Sequence, residues 1–495
     1  MKKLNYLLFI LLFAILTIGA TAQTTYVPDD NFEQALQDLG YDSGNLDDYV
    51  PTANINEITS LNVSNKYISD LTGIQDFVAL DSLNCGHNEL SNLNVSANTA
   101  LTYLNCDYNY ISNLDVSQNK ALIEFSCRNN KLSSIDLSAN TALTSLDVSS
   151  ESPYPDENII LNQFSSLDLS ANIALTKLHC DEVQLSHLDL SVNVALTELS
   201  CFYNNLYSLD ISANKALTSL NCSSNKLLSL DVSQNTALTS LNCTSNNLSS
   251  LDVSQNAALT SLNITNNNFS SLDVSNNTAL TSLNCYYNHL PSLDISQNTA
   301  LTFLNITDNN FSSLNISTNT ALTKLYCSNN QLSNLDVSQN TALTHLYCTN
   351  NQISSLDVRN GNNANMEFVN AEHNPYLTCI YVDDKTASYL SDWRKDETAV
   401  YVNDESECAE TLVNDLIGAE DNTIYPNPTN GILKFDFSGN KVQKIEIVDI
   451  TGKTVFEKVN VQQNEVVDLS NLATGIYVII LKTDKGNSSS KIIKE

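Results

Sequence analysis

From Ala79 onward, apolar and polar positions return in one order every 21 residues. The unit that begins at Ala237 shows the order in full: Leu238, Leu241, Cys243, Leu248, Leu251 and Val253 are apolar, and polar residues separate them. Ala100, Ala121, Ala142 and then Ala174 through Ala342 keep the same phase, with a single step, Ala142 to Ala174, 11 residues too long. A fixed period of this length predicts stacked coils that share one core. Within each unit, Leu241-x-Cys243 and Leu251-x-Val253 alternate as short half-buried strands do, and an Asn follows each. One coil therefore reads as strand, Asn turn, strand-like segment, Asn turn. Helix is disfavoured, because two Asn, several Ser and a Thr per unit are weak helix formers.

Three polar or thiol positions recur in phase with the coils. Asn98, Asn119, Asn140 and their successors to Asn340 occupy one phase without a gap, and an Asn at every turn can offer its amide to backbone groups freed where strands end. Ten cysteines, from Cys85 to Cys348, share another phase, where Val148, Ile264 and Ile306 also stand. A slot that accepts Ile is apolar, so these thiols are expected to be buried and unpaired. The Asp of Leu-Asp-Val-Ser recurs from Asp115 to Asp357, interrupted by Asn94 and Asn315. That row is expected to face outward, as a solvated acidic stripe in preference to a calcium rail, which would need several oxygens converging on each ion.

The pattern Leu238-x-x-Leu241-x-Cys243-x-x-Asn246-x-Leu248 resembles the leucine-rich repeat family, and its nested form resembles the bacterial 21-residue subclass called IRREKO. The resemblance covers residues 58–378. It implies a mainly β fold, a leucine-rich-repeat solenoid of about 14 coils, with a parallel sheet along one side. Residues 23–57, with Val27-Pro28-Asp29-Asp30-Asn31-Phe32 and a helical stretch to Leu39, look like the N-terminal cap. Residues 379–408, with Trp393, look like the C-terminal cap of bacterial surface proteins of this kind, which implies a disulfide between Cys379 and Cys408.

Composition narrows the function. The chain holds 55 Asp+Glu against 23 Lys+Arg, a formal charge of −32, so nucleic acid and anionic membranes are poor partners. Residues 1–22 read as a signal peptide: Lys2 and Lys3 precede an apolar run from Leu7 to Ile18, and Ala20-Thr21-Ala22 offers cleavage before Gln23. No later stretch is apolar enough to span a bilayer. The six His sit at no fixed offset from Cys or Asp, and neither a phosphate loop nor a metal-ligand motif occurs, so neither catalysis nor a cofactor is expected.

A ligand surface is expected where the outward positions of the main strand leave the usual Ser and Asn. Phe303, Lys324 and His345 form one such row and Tyr326 and Tyr347 the next, with Tyr286 and Tyr287 just upstream. Aromatic side chains with a cation are typical of binding surfaces for protein or sugar. Smaller aromatic groups stand at Tyr103 with Tyr108 and at Phe202 with Tyr203, and the insertion at residues 150–160 is a further contact candidate. The alternative is a structural stalk or surface-coat component whose repeats give length alone.

Residues 409–422 form an acidic linker, and from 423 short alternating strands between turn residues predict a small β-sandwich. Tyr425-Pro426-Asn427-Pro428-x-x-Gly431, Asp449-Ile450-Thr451-Gly452-Lys453, Leu472-Ala473-Thr474-Gly475-Ile476-Tyr477 and the basic end from Lys491 to Lys494 resemble the type A sorting domain of the type IX secretion system. The resemblance implies that residues 423–495 engage that secretion machinery, and that the protein is released or held at the outer surface.

Overall fold

A computed structural model describes residues 23–150, 161–408, 423–437, 442–449, 453–462, 464–483 and 486–495. The signal peptide with Ala22, the insertion beyond Ser150, the linker 409–422 and residues 450–452 of the sorting motif lie outside the described residues. The chain divides into two compact units, one built from residues up to Gln331 with Gln339–Tyr347, the other from Leu332–Ser338 with Cys348–Glu495.

The first unit opens on a cap. Strand Thr24–Tyr26 pairs antiparallel with Tyr49–Pro51, and helix Asp30–Asp38 lies between them in the chain. Asp29 starts the helix by accepting from the Phe32 amide at 3.0 Å, while its other oxygen accepts from Ser69 and Asp70. Burial works against the Asp29 carboxylate, but these hydrogen bonds outweigh it and hold its pKa below the ordinary value. One carboxylate thus fixes both the helix start and its seat on the first coils. Phe32, Ala35 and Leu36 are buried, and the Phe32 ring stacks on Phe77 at 6.4 Å, closing the end of the core.

Each coil then gives one three-residue strand, from Ser60–Asn62 through Ser240–Asn242 to His345–Tyr347. Neighbours pair parallel and in register, Leu opposite Leu. The central Leu enters the core and its two neighbours face out. The long step leaves this ladder unbroken, because Ser145–Asp147 pairs directly with Lys177–His179. The solenoid makes about 16 turns rather than 14. End coils such as the one with Ser60–Asn62 lack the repeat's Ala-Leu signature yet stack in the same register.

Two asparagine ladders hold the coils together. Asn246 donates from Nδ2 to the carbonyls of Cys222, Cys243 and Thr244, and its Oδ1 accepts from the Leu227 amide at 3.0 Å. Asn256 donates to the carbonyls of Val232 and Asn235, and its Oδ1 is buried without a partner. The first ladder uses the amide as donor and acceptor, the second as donor alone. Thiols fill the slot beside Leu241: Cys243 is fully buried and directs its S–H at the Asn263 carbonyl, 3.6 Å away. Burial pushes the thiols of Cys222 and Cys285 up to about 12, so they stay protonated at neutral pH.

In the second unit, strands Asn334–Asp336, Ser355–Asp357, Cys379–Tyr381 and Val400–Val402 pair parallel. Cys379 and Cys408 are joined by a disulfide and pack with Val402. Further along, a three-stranded sheet (Thr423–Tyr425, Ile432–Asp436, Asn464–Asp468) and a four-stranded one (Thr454–Val459, Val442–Asp449, Gly475–Thr483, Gly486–Lys494) share a core of Phe435, Ile445, Ile447 and Ile479.

Candidate functional site

The main strands carry two outward rows, one on each side of the buried Leu. From Ser219–Asn221 to Ser282–Asn284 both rows hold only Ser and Asn. The rows then change together. Phe303, Lys324 and His345 align in one row, and Asn305, Tyr326 and Tyr347 in the other. The Tyr326 and Tyr347 rings stack face to face, 4.6 Å apart at 16°, and Phe303 leans on Tyr326 at 5.6 Å. Lys324 is exposed and makes no ion pair among the described residues. His345 Nδ1 and Thr344 Oγ1 share a hydrogen bond of 2.9 Å, which fixes the ring beside it. The stack covers one face of each tyrosine, and the exposed Lys324 ammonium stands beside it.

Tyr286 and Tyr287 stand elsewhere. They follow Cys285 on the turn, where Tyr287 takes a left-handed backbone with φ 56°, and their rings meet each other at 6.0 Å. Among the described residues no ring contact joins them to Phe303.

A second departure from Ser and Asn lies nearer the N-terminus, and the sequence reading passed over it. Arg128 Nε stands 3.5 Å from Asp147, Asp147 is 3.6 Å from His179 Nδ1, His179 Nε2 is 2.9 Å from Glu198, and Glu198 is 3.5 Å from Lys177. Charges alternate along this chain, which spans the strands on both sides of the insertion. The carboxylates of Asp147 and Glu198 raise the His179 pKa to about 9 against partial burial, so the ring is cationic at neutral pH. Its signal was available: Asp147, Lys177, His179 and Glu198 stand at strand positions where the coils from Ser219 to Asn284 hold only Ser and Asn, and Arg128 follows the strand before them.

The acidic row has a local structural role. Asp252 Oδ1 accepts from the Ser254 amide at 2.9 Å, and Asp115, Asp136, Asp189 and Asp294 repeat the bond with the Ser two residues on. Asn94 and Asn315 make the same bond with Ser96 and Ser317, which explains why Asn can stand in the row. Among the described residues no group of three or more His, Cys, Asp or Glu is arranged to hold a metal ion.

The sorting-motif residues also have defined places. The peptides before Pro426 and Pro428 are cis, and Tyr425 is exposed. Asn427 donates to the Lys491 carbonyl at 2.7 Å and accepts from the Ile493 amide at 2.9 Å, so the motif is zipped to the final strand. Gly431 has φ 125°, and a Cβ there would meet Ser470 Cα at 2.8 Å, so no other residue fits.

Comparison with known proteins agrees with this division. Residues 423–495 match the secretion system C-terminal sorting domain, and residues 320–361 match a model of two leucine-rich repeats. Among solved structures, the functional domain of InlJ from Listeria monocytogenes, described as including a cysteine ladder, is similar at 26% identity and TM-score 0.66, over 96% of this chain and 99% of that one. An internalin, inlF, from the same organism is similar at 22% identity and TM-score 0.53, over 69% of this chain and 94% of that one. The plant peptide hormone receptor RGFR1 in complex with RGF2 shares the fold at 21% identity and TM-score 0.52, over 68% of this chain and 60% of that one. Among curated proteins no relative matches. The C-terminal domain directs export to the cell surface or beyond, and no helix among the described residues is long and apolar enough to cross a membrane.

Proposed function

Given a leucine-rich-repeat chain that a secretion-system sorting domain takes out of the cell, we propose that it works by capture: the face around Tyr326 and Tyr347 binds an extracellular protein. The observation that carries this reading is the stacked pair itself. Two tyrosines 4.6 Å apart, with Phe303 against them and Lys324 beside them, replace Ser and Asn in successive coils. Aromatic side chains give large, stiff contact area, and their hydroxyls satisfy polar groups of a partner. A protein surface with acidic or carbonyl groups would meet ring edges, hydroxyls and a cation there.

The full exported chain, passed over an array of extracellular proteins, is expected to give reproducible partners. Replacing Phe303, Tyr326 and Tyr347 by Ser should weaken such a partner at least 100-fold, about 2.7 kcal/mol, while the melting temperature stays within a few degrees. Unchanged affinity in the triple variant would remove the surface from consideration. A second reading, a stalk that gives length, draws on the coils from Ser219 to Asn284, whose outward rows carry nothing but Ser and Asn. It predicts no partner on the array, from either version of the chain.

A further inference from the structure

In coil after coil one turn residue takes the left-handed backbone conformation, and these residues form a column along one edge of the sheet. His87, Tyr108, Asn129, Glu182, Tyr203, Ser224, Ser245, Asn266, Tyr287 and Asp308 all have φ between 48° and 57°. Half of these are Asn, Ser or Asp, short polar side chains that tolerate this conformation well. Tyrosine does not belong to that set, yet it occurs three times.

The three are evenly placed. Tyr108 follows strand Tyr103–Asn105, Tyr203 follows Glu198–Ser200 and Tyr287 follows Ser282–Asn284, so four coils separate each from the next. At the spacing of parallel strands that is roughly 19 Å per interval. Each also has an aromatic companion. Tyr203 meets Phe202 at 5.8 Å and 50°, Tyr287 meets Tyr286 at 6.0 Å and 57°, and Tyr108 stacks on His87 at 4.3 Å. Tyr203 is 61% exposed and Tyr287 57%. Tilted contacts and this exposure leave ring faces of the two pairs open to solvent. Between them the column holds Ser224, Ser245 and Asn266, hydroxyls and an amide that can both give and accept hydrogen bonds.

We propose that this edge binds a linear, uncharged polysaccharide, each aromatic pair holding one stretch of the same strand. Separate aromatic spots at equal intervals suit an extended repetitive chain; a compact partner needs one continuous patch. Charge decides against an anionic polymer, because Glu182 and Asp308 stand next to Tyr203 and Tyr287 in the column and the whole chain carries −32. Sugar rings present apolar faces to aromatic rings and hydroxyls to the polar residues between. Binding at several spots on one chain multiplies affinity far beyond that of a single pair.

The test is affinity electrophoresis of the full chain through gels that contain mixed-linkage β-glucan, glucomannan, xyloglucan or heparin. At least one neutral polymer should retard the protein, and heparin should not. Replacing Tyr203 and Tyr287 together by Asn, the residue that Asn129, Asn266, Asn329 and Asn350 already place in this column, should cut retardation at least tenfold. Because Asn suits the left-handed backbone, the variant should melt no lower than the parent. Capture of a protein by the Tyr326 face should be untouched, which separates failure of this proposal from failure of that one. Absence of retardation in every neutral gel, equal retardation of the variant, or stronger retardation by heparin would each overturn the proposal.

Discussion

At the scale of single residues, the buried thiols make a sharp statement about pH. The ordinary thiol titrates at 9.0, and burial moves Cys222 up to about 12 in the folded chain. A raised folded pKa means that the stabilisation is complete below pH 9 and is lost as pH climbs toward 12, since only the unfolded thiol can ionise in that window. Each such thiol should remove about 1.4 kcal/mol of stability per pH unit there. Urea midpoints measured from pH 8 to 11 should therefore fall steeply, and Cys222→Val should fall less, because Val148 shows that the slot takes valine. Identical slopes would mean that these thiols are not sealed. The cysteine slot was legible from sequence, because Ile and Val share its phase. The role of the acidic row was less so, because a bond from Asp to the amide two residues on is a matter of backbone conformation. Its one visible trace was the exchange of Asp for Asn at positions 94 and 315. Accordingly, Asp252→Asn should leave the melting temperature unchanged and Asp252→Ala should lower it, as a thermal melt would show. Equal loss in both would assign the row to charge rather than to the turn.

At the scale of the coil, the two asparagine ladders differ in what their removal leaves behind. Asn246→Ala strands the Leu227 amide in the core, while the carbonyls of Cys222, Cys243 and Thr244 keep donors in Asn225, Asn267 and the Ser224 amide. Asn256→Ala strands nothing, since the Val232 and Asn235 carbonyls keep the Asn235 and Leu238 amides, and it removes an oxygen that has no partner. An unmet buried polar group costs about 1–3 kcal/mol, so Asn246→Ala should cost about that much more than Asn256→Ala, read from urea unfolding. The reverse order would contradict the hydrogen-bond pattern. Strand position was legible in the sequence because Leu241 and its equivalents recur without a shift. Coil number was undercounted, because the end coils keep the register while losing the Ala-Leu signature that was being counted. The chain from Arg128 to Lys177 escaped notice because its members are 19 to 32 residues apart, and only pairing of Ser145–Asp147 with Lys177–His179 across the insertion brings them side by side.

For the whole molecule, chemistry is distributed in zones along the outward rows. Ionic contacts cluster around His179, Ser and Asn alone line the coils from Ser219 to Asn284, and a run of aromatic rings follows from Phe303. Lys and Arg nearly balance Asp and Glu in residues 423–495, so the charge of −32 rests on the repeats, their caps and the acidic linker. The sequence revealed the aromatic rows, because strand alternation places Tyr326 and Tyr347 on one side. It did not separate them from Tyr286 and Tyr287, since the turn after Cys285 carries those rings off the sheet face by a left-handed residue that no periodicity announces. Photo-crosslinking addresses the capture face most directly. A benzophenone side chain at position 326 should link the chain to its array-identified protein partner, and the same group at position 242, the equivalent place in a Ser and Asn coil, should not. Equal linkage from both positions, or linkage from 242 alone, would contradict the account.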